Sequence, residues 1–322
     1  MKALVTGATG FVGSHVVEAL LRRGDHVSAL ARSARKAEGL AEKGVEVFSG
    51  DLHDLAALEK AVQDQEIVYH VAGVVAARNE TEFFYANRDG TRNLVATAER
   101  AGKPRLVLVS SLAAAGPATR GVPLNGNEPP RPVTAYGRSK LAAEQEVSTS
   151  SLGWCILRPP IVYGPRDREV LKVFQLARLG IAPVFGDGKQ ELSAVHVTDL
   201  AEALVTVGYT TSTTARVYYP CHPQVFTSGQ FGSAVAAAMG RKVATVRIPG
   251  AIGRALLSVT ESSANILGQT TILTRDKANE FFQPAWTGDP ASLSQDTGWH
   301  ATHDLRTGLA DTYLWYRKAG WL

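Results

Sequence analysis

The chain has 322 residues, 45% of them hydrophobic and 20% charged, which excludes general disorder and provides for a sizeable core in one large domain or two intimate ones. Its two cysteines, Cys155 and Cys221, exclude a disulfide framework and stand in no metal-ligand spacing, so no metal is expected, and such sparse use points to a cytoplasmic setting. The net charge of +4 comes from scattered basic residues without a run, so no nucleic-acid partner is expected, and no apolar stretch reaches the ~18–20 residues of a membrane span.

The opening run, Met1 to Val5, is broken at once by Thr6-Gly7-Ala8-Thr9-Gly10, and no cleavage site follows; it reads as a strand and not as a leader. From there apolar, β-type runs alternate with helical patterns. The predicted strands are 2–6, 26–31, 45–49, 67–71, 105–110 and 154–158. The predicted helices are 12–23, 34–43, 55–63, 81–101 and 135–150. The strands are continuously apolar, as a sheet covered on both faces requires. Strand–helix alternation implies right-handed crossovers. The fold class is therefore α/β: a doubly wound, Rossmann-type parallel sheet with a smaller, partly discontinuous C-terminal lobe.

After Pro159 the pattern loosens. A strand at 194–197 leads into a helix at 199–209, 217–220 is another short strand, and an amphipathic helix closes the chain at 305–318. The division expected is a dinucleotide-binding domain over 1–165, completed by about 194–220, with 166–193 and 221–322 forming the substrate lobe.

Thr6-Gly7-Ala8-Thr9-Gly10-Phe11-Val12-Gly13 joins the first strand to the first helix. Gly7 permits the tight turn, Gly10 lets backbone approach a pyrophosphate, and Gly13 lets helix pack on strand. The helix N-terminus offers free N–H groups and a partial positive charge to phosphates. The second strand ends Ala31-Arg32-Ser33, with Arg35 and Lys36 following and no acidic residue in that window. An acid there would grip an adenosine ribose and repel a 2′-phosphate, whereas Arg32 can pair with the phosphate, which favours NADP(H) over NAD(H). Asp51-Leu52 can meet the adenine edge, and Val71-Ala72-Gly73 gives small residues where chain passes a cofactor.

Tyr136-Gly137-Arg138-Ser139-Lys140 begins a helix, and Tyr136 and Lys140 share one of its faces. A free phenol, with a pKa of ~10, is a poor acid–base at neutral pH; a neighbouring ammonium is expected to lower that value. Tyr136 can then exchange a proton with an alcohol or carbonyl oxygen, and Lys140 can hold ribose hydroxyls. Ser110 and Ser111 end the fifth strand at the same crevice, where Ser111 can orient the substrate oxygen.

Four other clusters invite notice. His300, His303 and Asp304 read as a helix-start cluster with Asp304 or Thr302 as cap. Cys221-His222 reads as a core cysteine beside an outward histidine. His196 and Asp199 read as a strand-to-helix junction and cap. Arg166, Asp167 and Arg168 fit either an anionic-substrate contact or a solvated loop. The segment 248–273, rich in Ile, Leu and Ala, fits either an apolar pocket lining or plain core.

These residues resemble the extended short-chain dehydrogenase/reductase family, also called the NAD-dependent epimerase/dehydratase family. The resemblance is carried by Thr6–Gly13, Gly50-Asp51-Leu52, Val71-Ala72-Gly73, Asn87 with Gly90–Leu94, Val109-Ser110-Ser111, Tyr136–Lys140, Arg158–Pro165, Val195–Asp199, and Gly298-Trp299, Gly308-Leu309 and Trp315-Tyr316 near the end. It implies a bound nicotinamide dinucleotide and a small-molecule substrate, with a homodimer as the family's usual assembly. It implies that Tyr136 is the acid–base, Lys140 its partner and ribose ligand, and Ser111 the donor to the substrate oxygen. By the same resemblance Gly7, Gly10, Phe11 and Val12 touch the pyrophosphate and Pro159, Ile161 and Val162 line the carboxamide, with Thr9, Ser33 and Ser110 completing the cofactor contacts.

Two departures matter. Nucleotide-sugar members carry Arg-x-x-Asn where this chain reads Arg158-Pro159-Pro160-Ile161, and Arg32 stands where NAD-retaining epimerases place an acid. Both are similar to the dihydroflavonol-reductase-like and 3β-hydroxysteroid-dehydrogenase-like branch, although the sequence also resembles proteins called hopanoid-associated sugar epimerases. The expected function is an NADP(H)-dependent reduction of a carbonyl, or oxidation of an alcohol, on a small or apolar substrate. The alternatives are a nucleotide-sugar epimerase or dehydratase that retains its cofactor and a dinucleotide-sensing regulator.

Overall fold

The computed structural model of the protein describes residues 1–266 and 270–322. Strand β1 (Lys2–Thr6) is followed by α1 (Phe11–Arg22), β2 (His26–Ala31), α2 (Ala34–Ala41), β3 (Glu46–Ser49), α3 (Leu55–Val62) and β4 (Ile67–His70). Then come α4 (Glu80–Phe84), a π-helical turn (Tyr85–Asp89), α5 (Gly90–Arg100), β5 (Arg105–Val109), α6 (Leu112–Ala115), α7 (Ala135–Ser148) and β6 (Trp154–Leu157). Beyond Pro159 lie β7 (Ile161–Tyr163), α8 (Glu169–Arg178), β8 (Ile181–Phe185), β9 (Glu191–Leu192), β10 (Ala194–His196), α9 (Val197–Tyr209) and β11 (Arg216–Tyr218). The chain ends with β12 (Phe226–Thr227), α10 (Ser228–Ala238), β13 (Ala244–Ile248), α11 (Gly250–Ile266), α12 (Ala278–Phe281), β14 (Ala285–Trp286), α13 (Ala291–Thr297) and α14 (Leu305–Lys318).

The main sheet has seven strands in the order β11-β6-β5-β4-β1-β2-β3, every pairing parallel. The doubly wound α/β architecture expected from the continuous apolar strands is therefore what forms. Ala3, Leu4 and Val5 of β1 are fully buried because helices cover both faces. One layer packs Val16, Leu20, Leu200 and Leu204 of α1 and α9 on the sheet; the other packs Leu58, Leu94 and Val147 of α3, α5 and α7. The order of connection reverses between β1 and β4, which opens a crevice at the carboxyl edge. A second core gathers Phe174, Leu192, Tyr219, Phe226, Trp286 and Tyr316 around the short strands β9, β12 and β14. Among the described residues no helix is long and apolar enough to cross a membrane.

The structure differs from the sequence reading in several places. The helix expected over 81–101 is interrupted by the π-helical turn, which turns Asn87 inward to hydrogen-bond elsewhere (below). Helix α8, not foreseen, starts because the buried Asp167 accepts from the Glu169 and Val170 amides at 2.8 and 3.1 Å. Arg166 pairs with Glu18 at 2.7 Å and Arg168 lies over Trp321, so this trio fastens elements together. Asp199 is not the cap of α9: it lies in the first turn and accepts from Thr302 and from the His303 amide at 2.9 Å. Asp304 caps α14 through the Thr307 amide at 2.7 Å, and buried Cys221 donates to the Gly288 carbonyl. Within 248–273, residues 267–269 lie outside the described residues; in α11, Leu257 is buried while Ile252, Leu256 and Val259 face outward.

Candidate active site

The glycine turn sits at the carboxyl end of β1. Gly7 has a φ of +72°, and an added Cβ at Gly13 would fall 2.1 Å from the Gly7 carbonyl oxygen, so α1 starts in backbone contact with the turn. No side chain caps α1 and its first turn holds no acid, while Thr9 and Gly10 are exposed. An uncapped, acid-free helix start beside exposed backbone is a cradle for a dinucleotide's phosphates, and the residues present fit that group. Gly13→Ala is expected to push α1 off the turn, cost about 1–3 kcal/mol of stability and weaken dinucleotide binding. A Gly153→Ala control, whose Cβ meets nothing within 4 Å, should behave as wild type in chemical unfolding and in dinucleotide titration calorimetry.

Around the crevice the other expected cofactor residues fall on one edge. Phe11 and Val12 open α1, half-buried, and Arg32 and Ser33 lie exposed just past β2. Asp51 is partly engaged: its Oδ1 accepts from the His53 amide at 2.8 Å, and Leu52 packs against Gly90. Val71, Ala72 and Gly73 follow β4, with the Ala72 amide donating to Thr6 Oγ1 at 3.3 Å. The Pro159 carbonyl accepts from the Leu112 amide at 2.9 Å, and Ile161 and Val162 form β7 beside β10.

Tyr136, Ser111 and Lys140 are brought together by close packing of α6 and α7. An added Cβ at Gly137 would lie 2.4 Å from the Ala113 carbonyl oxygen, so the two helices touch backbone to backbone. Ser111 caps α6, accepting from the Ala113 amide at 3.1 Å, and its hydroxyl stands beside the Tyr136 phenol, where it favours the phenolate. Lys140, buried, donates from Nζ to the Val109 carbonyl at 2.8 Å and faces Gly73. Burial pushes Tyr136 up to about 12, only partly opposed by Ser111, and the Glu280 carboxylate adds to the rise. The expected lowering by Lys140 is not seen, because losing solvation costs the phenolate more and the ammonium is bonded to a backbone carbonyl. Burial likewise lowers Lys140 to about 8, with Glu144 opposing.

Three supports were given no structural role by the sequence reading, although Asn87 and Arg158 are among the residues that carry the family resemblance. Asn87 accepts from the Val74 amide at 2.8 Å and donates to Ser139 Oγ at 2.9 Å, so it ties the loop after β4 to α7. Thr6 Oγ1 bonds to His70 Nδ1 at 2.7 Å and His70 Nε2 to Thr91 Oγ1 at 2.8 Å, a buried chain beneath the crevice; burial drops His70 to about 3. Glu144 pairs with Arg158 at 2.6 Å, both buried, and Arg158 reaches the Tyr219 hydroxyl at 2.9 Å. The Ser110 hydroxyl donates to Glu144, so this residue expected at the cofactor gives its one proton to the ion pair. Glu144 lies one turn past Lys140 on the face that begins with Tyr136, and that spacing was the available signal.

A parallel sheet with a phosphate cradle at its switch point and a Ser–Tyr–Lys group on the same edge defines a dinucleotide-dependent enzyme of the short-chain dehydrogenase type. The family model for the NAD dependent epimerase/dehydratase family matches residues 3–218, and the chain belongs to that family, within the extended short-chain dehydrogenases/reductases. It is 32% identical over 319 residues to a ceramide reductase of Caulobacter vibrioides, covering 99% of this chain and 95% of that protein. The crystal structure of gox2253 superposes with a TM-score of 0.83 at 27% identity, covering 99% of this chain and 98% of that one. The UDP-glucose 4-epimerase of Thermus thermophilus, in complex with NAD, superposes with a TM-score of 0.80 at 26% identity over 99% of this chain and all of that one. The chain is thus an NAD(P)-dependent oxidoreductase or epimerase of this type.

Proposed function

We propose that the protein is an NADP(H)-dependent reductase acting on a carbonyl carried by an apolar organic substrate, or catalysing the reverse alcohol oxidation. The observation that carries the reading is the contact between the Tyr136 phenol and Ser111 at the crevice, with Lys140 one turn further along the same helix face. The full-length similarity to a protein named ceramide reductase supports a reductase over an epimerase. Ile161, an apolar residue opening β7, offers no hydrogen bond to a sugar nucleotide's diphosphate. The division of labour follows: residues 1–165 with 194–220 hold the dinucleotide, and 166–193 with 221–322 form the substrate side.

The nicotinamide dinucleotide supplies or accepts the hydride when bound. The chain's own residues manage the proton and the charge. Tyr136 Oη passes its proton to the substrate oxygen as that oxygen becomes an alkoxide. The Ser111 hydroxyl, beside the phenol, lies where it donates to the same oxygen and shares its developing charge. Lys140, its ammonium bonded to the Val109 carbonyl, stands one turn along the same helix face, placed to hold the ribose hydroxyls. The Phe83 ring, 6.0 Å from that of Tyr136, helps keep water from the transfer.

Arg32 stands exposed at the end of β2 and gives the 2′-phosphate of NADP a charged, bidentate partner. Isothermal titration should find NADPH bound more tightly than NADH. Arg32→Asp should reverse the order, weakening NADPH by about ten- to a hundredfold, the worth of a charge-assisted hydrogen bond. Purified protein that releases near-stoichiometric NAD⁺ on denaturation would instead identify a retained cofactor and sink the reductase reading.

A further inference from the structure

The start of α7, which presents Tyr136, is held by a segment more than a hundred residues later in the chain. Thr134 caps the helix, accepting from the Gly137 amide at 3.1 Å, and its own hydroxyl donates to Glu280 Oε1 at 2.8 Å. The Ala135 amide donates to Asp276 Oδ2 at 2.8 Å. Two carboxylates from around α12 thus meet the positive end of the helix, the favourable sign for its dipole. Lys277 pairs with Glu280 through Glu280 Oε2, and its Nζ lies 5.9 Å from the centre of the Tyr136 ring. Glu280 is buried, and its backbone carbonyl is anchored by Trp286 Nε1 at 2.8 Å and Gln190 Nε2 at 3.0 Å.

We infer that Lys277 and Glu280 are positioning residues for Tyr136: they fasten the first turn of α7 to the substrate side of the chain and hold one charge of each sign beside the phenol. The other charged groups around the phenol are accounted for. Lys140, on the same helix, is bonded to the Val109 carbonyl. Arg138 is paired with Glu80 of α4 at 2.7 Å. Asp276 is engaged by the Ala135 amide, and the end of β5 contributes only the neutral Ser111. The Lys277–Glu280 pair is therefore a charged couple at the Tyr136 ring whose two members can be removed one at a time without cutting α7 from its cap. Glu280→Gln keeps an oxygen for Thr134. Lys277 is partly exposed, and in Lys277→Met the buried Glu280 carboxylate keeps the Thr134 hydroxyl as its partner.

The inference rests on the proposed role of Tyr136, and the test separates the two. A fluorinated tyrosine, whose phenol is more acidic, is placed at position 136 of the full chain and titrated by ¹⁹F NMR, which needs no turnover. Glu280→Gln should move the midpoint to lower pH and Lys277→Met to higher pH, each by on the order of half to one pH unit for a partly screened charge at this range. The double variant should return close to the starting midpoint. A purely structural clamp predicts shifts of the same sign or none, and either result overturns the proposal. The pH profile of kcat in the same variants is read separately. If it stays fixed while the fluorine titration moves in opposite directions, Tyr136 is not the proton carrier, yet the charge couple stands.

Discussion

Tyr136→Phe is expected to lower kcat by about 10²–10⁴-fold, the contribution of a positioned general acid or base, while leaving dinucleotide affinity within about twofold. The substitution removes one oxygen and keeps the ring. The contacts of that ring with Phe83 and Lys277 remain, as do the α7 cap at Thr134 and the Gly137–Ala113 contact that sets the helix in place. Lys140 keeps its bond to Val109, because it is not held by the phenol. The loss therefore falls on the chemical step. Steady-state rates with NADPH and a responsive ketone, set beside calorimetric binding of NADPH alone, measure both halves. A variant retaining more than a tenth of wild-type kcat would remove Tyr136 from the proton transfer. Ser111→Ala should be milder: the substrate oxygen loses one donor, but the proton donor remains.

The edge of the sheet that carries the site was legible in the sequence because each of its parts is local. The glycine turn, the small residues after β4 and the strand-end serines each lie within a few residues of a strand end, and parallel strands place all such ends on one side; the Tyr136–Lys140 pair shows as one face of a single helix. What stayed hidden depends on partners far along the chain. Asn87 sits in what reads as an ordinary amphipathic helix; only its bonds to Val74 and Ser139 reveal the π-helical turn. The raised proton affinity of Tyr136 depends on burial and on Glu280, neither of which a Tyr-x-x-x-Lys spacing encodes. Similarly, Arg166 could be an anion ligand or a loop residue until Glu18 appears beside it. Short strands such as β9 and β14 carry two residues each, too few for any period to show.

Arg158→Leu is expected to destabilise the fold by about 3–5 kcal/mol, because it strands the Glu144 carboxylate in the interior. Both partners are about 95% buried, and Arg158 meets Glu144 through two nitrogens, at 2.9 and 2.6 Å, while its third reaches Tyr219. Without the guanidinium, Glu144 keeps only the Ser110 hydroxyl and the more distant Lys140. Adding Glu144→Met should recover most of the loss, since replacing both members of a buried pair by apolar groups is often neutral. Urea unfolding of the single and double variants gives both quantities. A deficit below about 1 kcal/mol would show that water reaches the pair and that its partners are already solvated. The expected result instead makes this pair the fixed floor of α7, two turns beyond Tyr136, against which the charge couple at the helix's other end sets the phenol.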